Sequence, residues 1–334
     1  MLLPNALDKY LEEEKVDLDS ILGHELIELL SLPSDDEKQG RRMSFLEIAD
    51  EILVQLGRKF TGQQTGGDYN WYFIKSKAVE MAEKVLYPYA STKSIDRVVR
   101  QLFVTSEFES EKFSALIRTM TNSGHKTIAL ETLLKLTEIF PENTTVGAHL
   151  LAHLAKFYML ICGDFEKALP EIEKAVKNQK DDSLLQHIYG DIIRHQVQAL
   201  KKEPDFDMEV VVDLAIKSSE CFAFVRHKRS HHSHGFMSDA IVRITTMQAA
   251  IKSIGGRGHT FIDYLIKILD DFKGNKDVRL SNHKKYLMKL ITEVDGFLAQ
   301  NVIHPEHKEK WRKTFMIVLE MLKIAGDYVI KFAS

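Results

Sequence analysis

The residues with the clearest chemical potential form one run of cationic side chains and histidines. Neutral imidazole nitrogens bind zinc or copper, whereas permanent cations beside titratable histidines contact nucleic-acid phosphates. The run contains no acidic or cysteine ligand, and metal sites usually add ligands from separate rigid elements, so we predict no metal site. Phosphate contact and a solvated loop between helices both fit this basic/His patch. Its members are Arg226, His227, Lys228, Arg229, His231, His232 and His234.

Motifs of the common catalytic classes are missing from the sequence. The glycine-rich segment 62–67 lacks the lysine that reaches a phosphate in nucleotide-binding loops. His149 and His153 stand four residues apart on one helix face, but Leu150 occupies the position where a metalloprotease needs glutamate. The Gly-x-Ser-x-Gly elbow of hydrolases is also missing. We therefore expect a protein that is not an enzyme, needs no cofactor and hydrolyses neither ATP nor GTP.

Composition narrows the class of protein further. The 334 residues are 44% hydrophobic, which is enough to form a folded core, and their formal charge of −3 gives no global attraction to nucleic acid or membrane. Only two cysteines occur, Cys162 and Cys221, which suits a reducing compartment. No run of about 18 apolar residues is free of charge, so we expect no membrane span and a cytoplasmic location.

Apolar residues recur every three or four positions, which predicts helices throughout the chain. The β-branched segment 209–212 leads into helical spacing and lacks the alternation of a strand, so we assign it to a helix as well. Because many short loops separate these segments, the pattern favours sequential helical hairpins. Beyond the middle of the chain the predicted helices are 183–202, 208–225, 236–253, 259–272, 283–299 and 306–332.

The middle of the chain repeats a helix–glycine–helix pattern. Gly124 separates two apolar helical segments, and Gly163 does the same 39 residues later. Ala168 then occupies a small-residue position in the second hairpin. In a third partial copy, Gly190 removes a side chain so that a neighbouring helix can approach closely. We therefore predict at least three antiparallel hairpins between Ser110 and Lys202.

These hairpins resemble tetratricopeptide repeats, whose period is about 34 residues. The closest local match is Gly163–Ala168, and the likeness covers roughly residues 105–200. The resemblance implies an all-α fold in which tetratricopeptide-like antiparallel helical hairpins form an α-solenoid. The corresponding domains are an N-terminal helical segment at 1–104, the hairpin array at 105–254 and C-terminal helical hairpins at 255–334.

A second likeness is carried by the Trp71 region, 149–158, 187–190, 218–224 and 234–235. These segments are similar to the superhelical region of antiviral signal-transduction (STAND-type) ATPases and of animal sterile-alpha-motif restriction factors. This likeness implies a scaffold or sensor segment of innate-immune signalling, separate from any nucleotide-binding domain.

In a tetratricopeptide-like array, the first helix of each hairpin lines the groove that receives a partner. The polar side chains predicted to face this groove are mostly basic and long enough to reach a carboxylate, so we expect an acidic protein segment to dock there. The alternative function is a nucleic-acid-binding helical module that uses the basic/His patch. The predicted partner-binding residues are Arg118, Asn122, His149, Lys156, His187, Asp191, Arg194 and His195.

Overall fold

The computed structural model describes residues 71–83, 87, 103–104, 113–229, 233–271, 277–300, 303 and 305–321. In these residues the chain forms eleven α-helices, one π-helical turn and no strand, which confirms the all-α prediction for them. Most of the predicted segment 1–104 lies outside the described residues. The helices are α1 (Trp71–Met81), α2 (Ala115–Asn122), α3 (Lys126–Ile139), α4 (Thr145–Phe157), α5 (Phe165–Asn178), α6 (Ser183–Leu200), α7 (Met208–Lys228), α8 (Ser233–Ser253), α9 (Phe261–Asp271), α10 (Val278–Leu298) and α11 (Pro305–Met321); the π-helical turn is Tyr158–Cys162.

The chain divides into two compact units, Met1–Phe157 and Tyr158–Ser334. The boundary lies inside the predicted array 105–254 and separates the two helices of the second predicted hairpin, because α4 belongs to the first unit and α5 to the second. The three consecutive hairpins therefore stay a prediction, because the second hairpin has one helix in each unit.

Aspartate side chains fix the starts of four helices. The Asp182 carboxylate accepts a hydrogen bond from the backbone N–H of Leu184 at 2.7 Å. Asp164, Asp207 and Asp277 accept from backbone N–H groups at the starts of α5, α7 and α10 in the same way. The first N–H groups of a helix have no partner within the helix, so a carboxylate at this position stabilises the helix start by about 1 kcal/mol.

Two predicted glycine turns are confirmed. Gly124 has φ of 85° and joins α2 to α3, and Gly163 has φ of 69° and precedes α5. These values lie in the left-handed region, where a side chain is strained and glycine is not. Glycine is therefore the residue that these two backbone positions favour, as the sequence indicates.

The first unit is built around α3 and α4. Helix α3 packs against α1, α2 and α4, and the side chains of Lys75 on α1 and Glu131 on α3 form an ion pair. Eleven of the 13 residues of α4 are buried, so this helix is a core element with almost no solvent face. At its end, the Phe157 ring packs edge-on against Phe113, with 5.6 Å between the ring centroids.

One described helical segment, Thr145–Cys162, is long and apolar enough to cross a membrane. However, 72% of this segment is buried inside the fold. A helix in the core of a soluble protein has the same length and composition, so the segment is weak evidence for a membrane span.

The second unit is organised around α8. Fourteen of its 21 residues are buried, and it packs against α6, α7, α9, α10 and α11. Helix α6 also packs against α5 and α7, and α10 packs against α7, α9 and α11. The apolar core between α8 and the helices that follow it contains Met247, Phe261, Leu287, Leu290 and Phe315.

Gly190 allows α6 and α7 to approach each other closely, as the sequence predicts. A Cβ atom at this position would lie 2.9 Å from Phe222 Cε1 and 3.0 Å from the Cβ atom of Cys221. Both distances are shorter than ordinary van der Waals contact, so a larger residue would push α7 away. The predicted reason for glycine in this helix is confirmed.

Replacing Ala168 by leucine is expected to lower the free energy of unfolding by about 1–3 kcal/mol. Ala168 has no exposed surface and lies on the buried face of α5 with Ile172 and Ala175, so the added atoms have no space. Urea denaturation followed by circular dichroism measures the effect. Lys177→Leu introduces the same side chain at an exposed position of α5 and is the control. Equal stability of the two variants would contradict the prediction.

Candidate functional site

The basic/His patch lies at the junction between α7, which ends at Lys228, and α8, which begins at Ser233. His231 and His232 lie outside the described residues. The other five members fall into three groups: Arg226 is directed into the protein, His227, Lys228 and Arg229 are exposed, and His234 is half-buried. The predicted patch is therefore not one continuous cationic surface.

Arg226 is wrongly predicted as a phosphate contact. Its Nη1 donates hydrogen bonds to Asp239 Oδ2 at 2.8 Å and to the backbone carbonyl of Gly235 at 3.2 Å. The guanidinium also lies 4.5 Å from the centroid of the Phe297 ring, and 15% of the side chain is exposed. Because its charge is satisfied inside the unit, Arg226 serves the junction between α7 and α8.

Asp239 is the centre of a buried charge cluster. It has no exposed surface, and it accepts hydrogen bonds from Ser219 Oγ at 2.7 Å and from Arg243 Nε at 3.1 Å in addition to the bond from Arg226. Arg243 forms a further ion pair with Glu293 of α10. Two guanidinium groups and two carboxylates therefore balance each other where α7, α8 and α10 meet, as a buried ion cluster requires.

Aromatic rings enclose this cluster. The Cζ atom of Arg243 lies 5.1 Å from the centroids of both Tyr286 and Phe297, so the cation contacts two ring faces. Burial raises the pKa of Tyr286 to about 12, which keeps its hydroxyl neutral. The Arg243 side chain is 7% exposed and that of Asp239 has no exposed surface, so these two charges depend on their protein partners.

The exposed part of the patch has an ordinary structural role as well as a cationic surface. Lys228 Nζ lies 3.5 Å from Asp181 Oδ1 and 5.6 Å from the centroid of Phe224. His227 and Lys228 belong to the last turn of α7, and Arg229 follows it. Cations at this end of a helix stabilise its unpaired carbonyl groups by about 0.3–1 kcal/mol. Their presence is therefore explained without a ligand.

His234 connects the patch to helix α6. Its ring centroid lies 5.8 Å from that of His187, and the His187 ring lies 5.6 Å from Phe222. His187 is the first member of the α6 polar row, which consists of His187, Asp191, Arg194 and His195. The structure thus brings together two groups of residues that the sequence predicts as separate sites.

The α6 polar row is held by its own hydrogen bonds. Arg194 donates to Asp191 Oδ1 from Nε at 2.9 Å and from Nη2 at 2.6 Å. Its Nη2 also lies 2.8 Å from His195 Nε2, which must accept because a guanidinium only donates. Burial raises the pKa of Asp191, but the electrostatic interactions with Arg194, His195 and His187 outweigh burial, so this pKa is lowered overall.

The residues predicted in the first unit share no single environment. Asn122 is exposed, and Arg118 is half-buried. Lys156 is also half-buried, with its Nζ 5.7 Å from the centroid of the Phe113 ring. His149 is 1% exposed, so its predicted position on an open groove is wrong. The cause is the burial of nearly all of α4, which leaves no polar face at that residue.

The described residues contain no cluster of possible metal ligands, and one of the two cysteines is buried. No group of three or more His, Cys, Asp or Glu side chains there has the geometry to hold a metal ion. Cys162 is exposed and Cys221 is buried, and burial raises the pKa of the Cys221 thiol to about 12. Such a thiol is inert at neutral pH.

No protein-family model matches the sequence. No curated protein matches it. The resemblances to tetratricopeptide repeats and to antiviral ATPases therefore stay predictions that rest on the residues named above.

The sequence-based site predictions missed the buried charge cluster. One signal was present: Asp239 and Arg243 stand four residues apart within the predicted helix 236–253. Such a pair on a helix usually indicates a surface ion pair. Only the packing of α7 and α10 against α8 places it in the core, together with Arg226 and Glu293.

Proposed function

We propose that this chain is a non-enzymatic protein-interaction module assembled from tetratricopeptide-like hairpins. The observation that carries the proposal is the packing order of the second unit. Helices α6, α8 and α10 are the first helices of successive pairs, and α8 packs against the first helix on either side as well as against α7 and α9. In a hairpin array each pair contacts mainly its neighbours, and the first helices stack along one face.

The α6 polar row is the proposed contact surface for an acidic segment of a partner protein. It is partly exposed, with 26% of the His195 side chain and 13% of the Arg194 side chain accessible. The bonds to Asp191 use Nε and Nη2 of Arg194, so Nη1 takes part in neither of them. A side chain already fixed in position loses little entropy when it binds a carboxylate.

A role in antiviral signalling and a cytoplasmic location belong to the same proposal. The first rests on the likeness of segments 149–158, 187–190 and 218–224 to the superhelical regions of STAND-type ATPases. The second rests on the small number of cysteines, two in 334 residues.

Neutralising Arg194, as Arg194→Gln, is expected to weaken the binding of an acidic peptide by at least about tenfold. The Arg194 guanidinium is proposed to donate a charge-assisted hydrogen bond to a carboxylate of the peptide. The measurement is fluorescence anisotropy of a short fluorescein-labelled peptide rich in Glu and Leu. Thermal melting of both proteins establishes that the variant is folded.

The control and the second function use the same assay. A nucleic-acid-binding module is supported by the exposure of His227, Lys228 and Arg229 at the end of α7. The control variant is therefore Lys228→Gln with Arg229→Gln, tested with the peptide and with labelled single-stranded DNA at two salt concentrations. The nucleic-acid function would replace the protein-interaction function under one outcome. In that outcome the unmodified protein binds DNA more weakly at higher salt, and only the Lys228→Gln, Arg229→Gln variant loses binding.

A further inference from the structure

A cleft in the second unit belongs to neither predicted surface. It lies where the end of α6 meets α8 and α11, and its volume is about 240 Å³. This is close to the lower end of the range of about 300–1,000 Å³ that is usual for ligand sites. Its lining includes Gln198, Lys201, Lys202, Thr245, Gln248 and Trp311.

The charged groups of the cleft are cationic. Burial lowers the pKa of Lys201, and the neighbouring ammonium groups of Lys202 and Lys252 lower it further. Lys252 donates from Nζ to the backbone carbonyls of Lys201 at 2.7 Å and Glu203 at 2.7 Å, so its charge offsets the negative end of α6. Among the described residues, Lys202 and Lys252 are thus cations that act on Lys201, and an anion near Lys201 would relieve their repulsion.

The Lys201 ammonium is held in a fixed position. It donates a hydrogen bond to Gln248 Oε1 at 2.6 Å, across the interface between α6 and α8. Because the carbonyl of Gln248 faces the ammonium, its amide N–H₂ group is a second donor beside it. Trp311 of α11 is half-buried and packs against the apolar core between α8 and α11, so it adds an aromatic surface to the same cleft.

We propose that this cleft binds a small aromatic oxyanion, with the phosphate or carboxylate group on Lys201 and Gln248 and the flat ring against Trp311. The ammonium and the amide donate hydrogen bonds to the oxyanion, and the indole covers the apolar part of the ligand. The two anionic groups share this chemistry. Phenyl phosphate and benzoate are the probes that distinguish them.

Trp311 supplies the readout. The chain has two tryptophans, so Trp71→Phe leaves Trp311 as the single indole fluorophore. Titration of this variant with phenyl phosphate is expected to give a saturable change in Trp311 fluorescence. Lys201→Gln in the same background is expected to weaken binding by about tenfold or more, because a hydrogen bond to a charged group is lost. Benzoate reports whether a carboxylate serves as well as a phosphate.

Two controls make the result decisive. Lys267→Gln removes an exposed lysine from α9 and is expected to leave the affinity unchanged. Inorganic phosphate lacks the ring and is expected to bind at least about tenfold more weakly than phenyl phosphate, because apolar burial is lost. A linear, unsaturable response to both aryl probes would overturn the proposal, as would equal affinity of the Lys201→Gln and Lys267→Gln proteins.

Discussion

Replacing Asp239 by alanine is expected to lower the free energy of unfolding of the second unit by about 3–5 kcal/mol. The carboxylate has no exposed surface and pairs with Arg226 at 2.8 Å and Arg243 at 3.1 Å. Without it, two mostly buried guanidinium groups lie close together, with the partly exposed Glu293 as the remaining carboxylate of the cluster. Urea denaturation followed by circular dichroism measures the loss as a shift of the unfolding midpoint.

Two further variants isolate the cause of this loss. Asp205→Ala removes a carboxylate from the exposed turn between α6 and α7 and is expected to change stability by less than about 0.5 kcal/mol. Asp239→Asn keeps the shape of the side chain and removes only its charge. If Asp239→Ala cost no more than Asp205→Ala, the buried ion cluster would not be a source of stability.

Gly147→Ala is expected to destabilise the first unit by about 3 kcal/mol, near the upper end for overpacked sites. A Cβ atom at position 147 would lie 2.0 Å from the backbone oxygen of Pro141 and 2.8 Å from that of Phe140. These are backbone atoms, so no side-chain rotation relieves the overlap, and the loop before α4 must move. Thermal unfolding followed by circular dichroism measures the effect.

The sign of the change in the free energy of unfolding distinguishes an obstructed glycine position from an open one. In the interior of a helix, alanine is more favourable than glycine by about 1 kcal/mol when nothing obstructs its methyl group. Gly296 of α10 meets this condition, because no atom lies within 4 Å of an added Cβ. Gly296→Ala is therefore the matched control and is expected to stabilise the protein. A stabilising Gly147→Ala would show that the loop does not lie against α4.

The start of a helix can be predicted from the sequence where it depends on residues next to each other in the chain. The predicted starts at Ser183 and Met208 are confirmed, and both follow an aspartate that caps the helix. Helix α10, by contrast, begins at Val278, five residues before the predicted start, because Asp277 caps it and the prediction relied on apolar periodicity alone. Capping is a contact between residues two or three positions apart, so it can be identified in a sequence when it is sought.

The candidate sites were less predictable because burial depends on distant residues. His149 and Arg226 have polar side chains that usually face water, and both were assigned to surfaces. In the structure, α4 is enclosed on nearly all sides, and Asp239 draws Arg226 into the junction between α7 and α8. The α6 polar row and His234 were assigned to separate sites, and it is the contact of His234 with His187 that joins them.

The sequence by itself determined the helical class, the glycine turns and the close approach at Gly190, since each depends on backbone preferences or on the size of one residue. Tertiary structure alone decided which charges are paired and buried. Arg243 and Glu293 are 50 residues apart, and His283 and Asp213, whose side chains form a hydrogen bond between α10 and α7, are 70 residues apart. The free energy of such a charge is set by its partner and by the exclusion of water, and both arise only when helices distant in the chain pack together.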